Sequence, residues 1–131
     1  MGAPAARQND PVTGTDVHIL LVPSPGGPVP TPTPMPFTGR LLAGLSADVL
    51  VDGLPVATIG SVAHNLPPHV PAAGPFSRPP TNQGRVLAGS TTVLVNGKGV
   101  ARLGDPVLTC NDPADLPNGT IAAGSADVLV G

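Results

Sequence analysis

The chain has no tryptophan and no tyrosine, and only two phenylalanines and one cysteine in 131 residues. One cysteine excludes an internal disulfide. The shortage of aromatic rings excludes a wide core and leaves Val, Leu, Ile and Ala to build a narrow one. Charged residues are 11% of the chain and the formal net charge is −2. That balance gives no basic footprint for nucleic acid, so no nucleic-acid partner is expected, and none for an anionic membrane surface. Purely apolar runs are only a few residues long, too short for a transmembrane helix or the apolar region of a signal peptide. The expectation is a protein synthesised in the cytoplasm without a signal peptide. No window combines a helical period with capping residues.

What the chain does have is Gly (17) and Pro (19) in quantity, and a repeat that orders them. Residues 90–107, STTVLVNGKGVARLGDPV, read as a β-hairpin: an apolar run at Val93, Leu94 and Val95, a tight turn at Asn96-Gly97, and a return through Val100 to Leu103. Residues 46–63, SADVLVDGLPVATIGSVA, match it at a constant offset of 44, with 8 of 18 positions identical. Residues 125–131, SADVLVG, begin the unit a third time. Its second half stands at the other end of the chain, where Ala6-Arg7 and Asp10-Pro11-Val12 fall on Ala101-Arg102 and Asp105-Pro106-Val107 at an offset of 95. The expected fold is all-β: three pseudo-threefold β-hairpin repeats from one chain, the third closed by the N-terminus, in a single domain over residues 1–131. A core this thin needs a staple, either a metal or a partner.

Between the repeats, Val17–Val22 is a candidate strand. It runs into VPSPGGPVPTPTPMP at 22–36, read as a stiff surface loop, with a docking surface as the functional alternative. Residues 61–85 are expected to form a loop carrying two histidines, and a shorter loop carries Cys110.

The chemistry sits in these loops. His18, His64, His69 and Cys110 each follow an equivalent strand end: after Asp10, after Ser61, and after Asp105. Equivalent points of a threefold ring lie at one height, so these loops converge on one end of the axis. One thiolate and three imidazoles there make a Cys-His₃ set suited to tetrahedral zinc, with bonds of about 2.0–2.3 Å. Four protein donors close the shell and make the site structural. Taken singly, loop histidines are usually solvated and a lone small cysteine usually fills core; the repeat is what joins them. No C-x-x-C or H-E-x-x-H spacing is present, no serine elbow, and Gly97-Lys98-Gly99 is a turn with no helix behind it. A zinc hydrolase would need an open coordination position that this set does not leave, so no enzyme is expected.

The pattern Gly-Ser-x-x-Val-Leu-Val-(Asn/Asp)-Gly-x-x-Val-Ala-Arg-x-Gly-Asp-Pro resembles the PAAR-repeat family, and the Pro-Ala-Ala-Arg run itself stands at Pro4-Ala5-Ala6-Arg7. The resemblance covers nearly the whole chain. It implies a small cone that caps and sharpens the trimeric, VgrG-like spike of a contractile injection apparatus, type VI secretion-like or an extracellular particle. One chain would sit on each trimer and touch the target membrane only during puncture, delivered outside the cell or into a target cell. The alternative it implies is an adaptor that recruits a separate effector or toxin. It also implies zinc (Zn2+) near the apex, held here by His18, His64, His69 and Cys110; His64 and His69 share one loop, and which is the stronger ligand stays open. The chain departs from the family pattern at Ser61, at Gln8-Asn9 and in the insert at 22–36.

Overall fold

A computed structural model of the chain describes residues 2–131. Among them are twelve strands and no helix: β1 (Ala3–Pro4), β2 (Pro11–Val22), β3 (Val29–Ala43), β4 (Leu50–Val51), β5 (Leu54–Pro55), β6 (Val62–Asn65), β7 (Gln83–Val86), β8 (Leu94–Val95), β9 (Lys98–Gly99), β10 (Pro106–Thr109), β11 (Leu116–Ile121) and β12 (Leu129–Val130). Six form a closed antiparallel barrel in the order β10-β11-β2-β3-β6-β7. The other six form three two-stranded ribbons, β4–β5, β8–β9 and β1–β12. The Asx-Gly pairs make the turns: Asp52 and Gly53 take φ of 54° and 78°, Asn96 and Gly97 take 53° and 77°, the two positive angles of a type I′ turn. The third ribbon is spliced from the two ends of the chain. Ala3 lies opposite Val130 and Pro4 opposite Leu129, and the Ala5 N–H donates to the Val128 carbonyl at 3.0 Å.

Three backbone hydrogen bonds run in a circle around the axis. Ala6 N–H donates to Ala101 O, Ala101 N–H to Ala57 O, and Ala57 N–H to Ala6 O, each at 2.9 Å. Only a small side chain fits where three strands meet this closely, and all three alanines are fully buried. The core stacks in layers of three around them: Val51, Val95 and Val130 with Val56, Val100 and Ala5 on one side, and Leu41, Val86 and Ile121 with Val12, Ala63 and Val107 on the other. A second circle is polar. Ser46, Ser90 and Ser125 each accept two backbone N–H groups two and three residues ahead, and each hydroxyl donates to the next repeat's turn: to Asn96, to the Gly131 carbonyl, and to Asp52. Asn9 replaces the glycine of the other copies yet takes the same left-handed conformation, φ 71° against 93° at Gly60 and 89° at Gly104.

Two stretches expected as loops are strands. Residues 29–36 form the outer half of β3, in register with β2 from Val29 opposite Val22 to Pro36 opposite Thr15. Prolines are tolerated there because they alternate. Thr38, two residues beyond Pro36, turns its N–H away from β2 to Asn65 Oδ1 at 2.8 Å, so Pro30, Pro32, Pro34 and Pro36 occupy positions whose amides face away from the ladder. Similarly, β6 and β7 take both ends of the 61–85 segment and shorten its loop to 66–82.

Hydrogen exchange measures the closure. The amides of Ala6, Ala57 and Ala101 are expected to exchange at one slow rate set by global unfolding, and the Ala5 amide bonded to Val128 nearly as slowly. Exchange at Ala5 and Ala6 orders of magnitude faster than at Ala57 would show a frayed third repeat.

Candidate metal centre

Three hairpin connections leave the barrel at the end away from the ribbons: β2–β3, β6–β7 and β10–β11. Each places polar side chains on the axis. Asp16 and His18 are two apart on β2, so strand alternation turns both inward with Leu20, while Val17 and Ile19 face out. His69 comes from the 66–82 loop, and Cys110 directly follows β10. One donor atom from each of Asp16, His18, His69 and Cys110 lies within 4.8 Å of all the others.

The contacts are close. His69 Nε2 is 2.9 Å from Asp16 Oδ2, Cys110 Sγ is 3.5 Å from the same oxygen, and Cys110 Sγ is 3.7 Å from His18 Nε2. Ligands on a tetrahedral ion with bonds of about 2.0–2.3 Å stand roughly 3.3–3.8 Å apart, so the spacing brackets that geometry. Supporting residues hold the donors. Asp16 Oδ1 accepts the Thr109 hydroxyl at 2.5 Å and the Asn111 amide at 3.4 Å. The Asn65 amide faces His69 Nδ1 at 3.3 Å, which assigns the proton to Nε2 and directs it at Asp16. His18 is buried with no hydrogen-bond partner for Nδ1; Asp112 Oδ2 stands 3.5 Å away but is misaligned, and that oxygen accepts the Ile19 N–H at 2.9 Å.

Burial pushes the Cys110 thiol up to about 11, and the adjacent Asp16 carboxylate adds to the shift. Burial also lowers His18, with the neighbouring His69 acting in the same direction and Asp112 and Asp16 opposing. Without a cation the group therefore favours neutral thiol and neutral imidazole. A divalent ion would reverse the thiol's preference, since thiolates are the metal-binding form. One thiolate and one carboxylate against a dication sum to zero, the charge a buried centre tolerates best. The donor set fits a structural metal.

Of the residues expected from the sequence, the structure brings together His18, His69 and Cys110 and leaves His64 out. His64 lies on β6, where the inward positions are Ala63 and Asn65, and the pleat turns it the other way, between Arg40 of β3 and Gln83 of β7. Asp16 completes the group instead. Its signal was the two-residue spacing to His18 on one strand, which gives both the same face.

A ring of three β-hairpin repeats around one axis, with a buried polar donor group at one end, defines a pseudo-threefold repeat cone. The family model described as PAAR motif matches residues 77–131, which span the second repeat, Cys110 and the start of the third. Over those residues the chain is similar to the PAAR motif. No curated protein matches it.

The lowered His18 predicts the pH response of the metal-free protein. Between the folded value and the ordinary 6.5, the unfolded chain binds more protons than the folded one, so stability falls as pH drops below about 6.5 and levels off beneath the folded value. Urea midpoints with chelator, from about pH 7.5 to about pH 5, are expected to show this decline, and His18→Gln to flatten it.

Proposed function

We propose that the chain is a zinc-stabilised, non-enzymatic tip that caps and sharpens the trimeric spike of a contractile injection apparatus, with residues 1–131 acting as one PAAR-like domain. The observation that carries this reading is the ribbon end of the cone. Leu50, Leu94 and Leu129 occupy equivalent positions of β4, β8 and β12 and are 58%, 59% and 63% exposed. Val49, Val93 and Val128 beside them are also exposed. Three matching apolar side chains around an axis suit a partner that is itself threefold, and the internal threefold of one chain sets one chain per trimer.

Zinc is the proposed ion because a thiolate and two imidazoles favour a borderline-soft metal, with Asp16, His18, His69 and Cys110 as its ligands. Four protein donors leave no position for substrate, so its work is to tie three loops together. That suits a point built from small residues and prolines, which must be narrow and stiff. Assembled on the spike, the tip acts outside the cell that makes it or inside a target cell.

Two measurements test the proposal. Mixed with its trimeric spike protein, the chain is expected to form a complex of one chain per trimer by light scattering. Leu50→Asp, Leu94→Asp and Leu129→Asp together are expected to abolish that complex at little cost in melting temperature. A stable homotrimer of the isolated chain would sink the assignment. Elemental analysis is expected to find one zinc per chain, lost or strongly reduced in Cys110→Ser and Asp16→Asn and retained in His64→Ala. Retention in Asp16→Asn with loss in His64→Ala would replace the ligand set proposed here.

A further inference from the structure

The two carboxylate oxygens of Asp16 have different surroundings. Oδ2 faces the donor group, 2.9 Å from His69 Nε2 and 3.5 Å from Cys110 Sγ. Oδ1 instead takes the Thr109 hydroxyl at 2.5 Å and the Asn111 amide at 3.4 Å. Thr109 and Asn111 are the chain neighbours of Cys110. One tripeptide therefore supplies a thiol to the group and also grips a carboxylate that lies 94 residues from that thiol.

The backbone fixes the direction of these bonds. The Val17 N–H can only donate, and it reaches Asn111 Oδ1 at 2.7 Å, so the amide nitrogen of Asn111 is the atom turned to Thr109 and Asp16. That nitrogen stands 3.1 Å from Thr109 O, 3.2 Å from Thr109 Oγ1 and 3.4 Å from Asp16 Oδ1. The Thr109 hydroxyl accepts from Asn111 and directs its one proton at Asp16; its other neighbouring acceptor, Leu116 O, is more distant at 3.5 Å. Asn118 Nδ2 extends the chain and donates to Asn111 Oδ1 at 3.3 Å. Every donor runs toward Oδ1. Asp16, Thr109 and Asn111 are fully buried, so no bulk water competes for that oxygen.

A buried oxygen that already accepts a short hydroxyl bond makes a poor second ligand, because binding a metal through it would strand the hydroxyl. We infer that Thr109 and Asn111 are positioning residues that hold Asp16 as a one-oxygen ligand and so keep the metal four-coordinate. A carboxylate with both oxygens free can chelate, which suits larger ions that take many oxygen ligands. Closing that mode favours zinc or cobalt over calcium. The inference rests on the zinc reading above and deepens it.

Thr109 allows the hydroxyl to be tested apart from the rest of the side chain. Its methyl packs over Gly119 and Gly84, where an added Cβ would stand 2.7 and 3.4 Å from it. Thr109→Val keeps that packing and removes the hydroxyl; Thr109→Ser does the reverse. Zinc affinity of the full chain, read by competition with a chromophoric chelator, is expected to fall about tenfold or more in Thr109→Val. In Thr109→Ser it is expected to stay within about threefold of the unaltered chain, at a lower melting temperature. Cobalt reports the coordination number, since the four-coordinate ion absorbs visible light more strongly than the five-coordinate one. Thr109→Ser is expected to keep the intense band of the unaltered chain, and Thr109→Val to lose about half of it or more. Unchanged affinity or an unchanged band in Thr109→Val, or an equal loss in Thr109→Ser, would overturn the inference.

A further measurement needs no variant. Infrared difference spectra of the unaltered chain, zinc-loaded minus chelated, with and without carbon-13 aspartate, read the splitting between the two carboxylate stretches. A wide splitting is expected for one-oxygen binding. A narrow splitting, the mark of both oxygens on the ion, would overturn the inference and leave the zinc reading standing. An unaltered chain that takes up neither zinc nor cobalt would overturn both.

Discussion

Three peptide groups at Ala6, Ala57 and Ala101 hydrogen-bond in a circle, and the rest of the molecule depends on that circle. A closed triangle of backbone bonds fixes the distance between repeats at the axis, and with it the size of the side chains that fit there. Alanine is the largest residue the centre accepts, so bulk moves outward into layers of Val, Leu and Ile. The lack of aromatic residues follows from this constraint. Among the described residues, the only phenylalanine ring in the core is Phe37, on β3.

The same circle explains why distant residues meet. His69 and Cys110 are 41 positions apart, and Asp16 lies in a third region of the chain, yet the three lie on or beyond β2, β6 and β10, which surround one axis. Removing such a group from water leaves its thiol protonated and its buried imidazole neutral until a cation supplies the missing charge. A metal there would cross-link the three connections at their centre, supplying what a core of small residues cannot.

Much of this was legible in the sequence, because the repeat carries long-range information that local propensity does not. The wrapped third ribbon follows from two constant offsets and the tight turns from the Asx-Gly pairs, while the convergence expected of His18, His64, His69 and Cys110 is seen for three of the four. The parts that were not legible concern which way a side chain faces. His64 and His69 look alike in a string, and only the pairing of β6 with β3 and β7 shows that the pleat turns His64 outward. Asp16 was hidden for the converse reason, since its inward turn depends on β2 beginning as early as Pro11. The proline-rich segment misled through its composition. Seven prolines in fourteen residues argue against a strand unless their alternation is set against a partner's register.

Of the three hairpins that rise from the barrel, one is far longer than the others. A chain built this way has threefold bonding at its base and no symmetry at its point. Mounted on a partner with a true threefold axis, it can present Leu50, Leu94 and Leu129 alike in three orientations, with the long hairpin turned by a third of a revolution between them. A population of assembled particles that used all three would mix them. An image averaged under threefold symmetry would then show a sharp base and a hairpin faded to about a third of its density. Imaging the tip without imposed symmetry would recover it as a single off-axis blade.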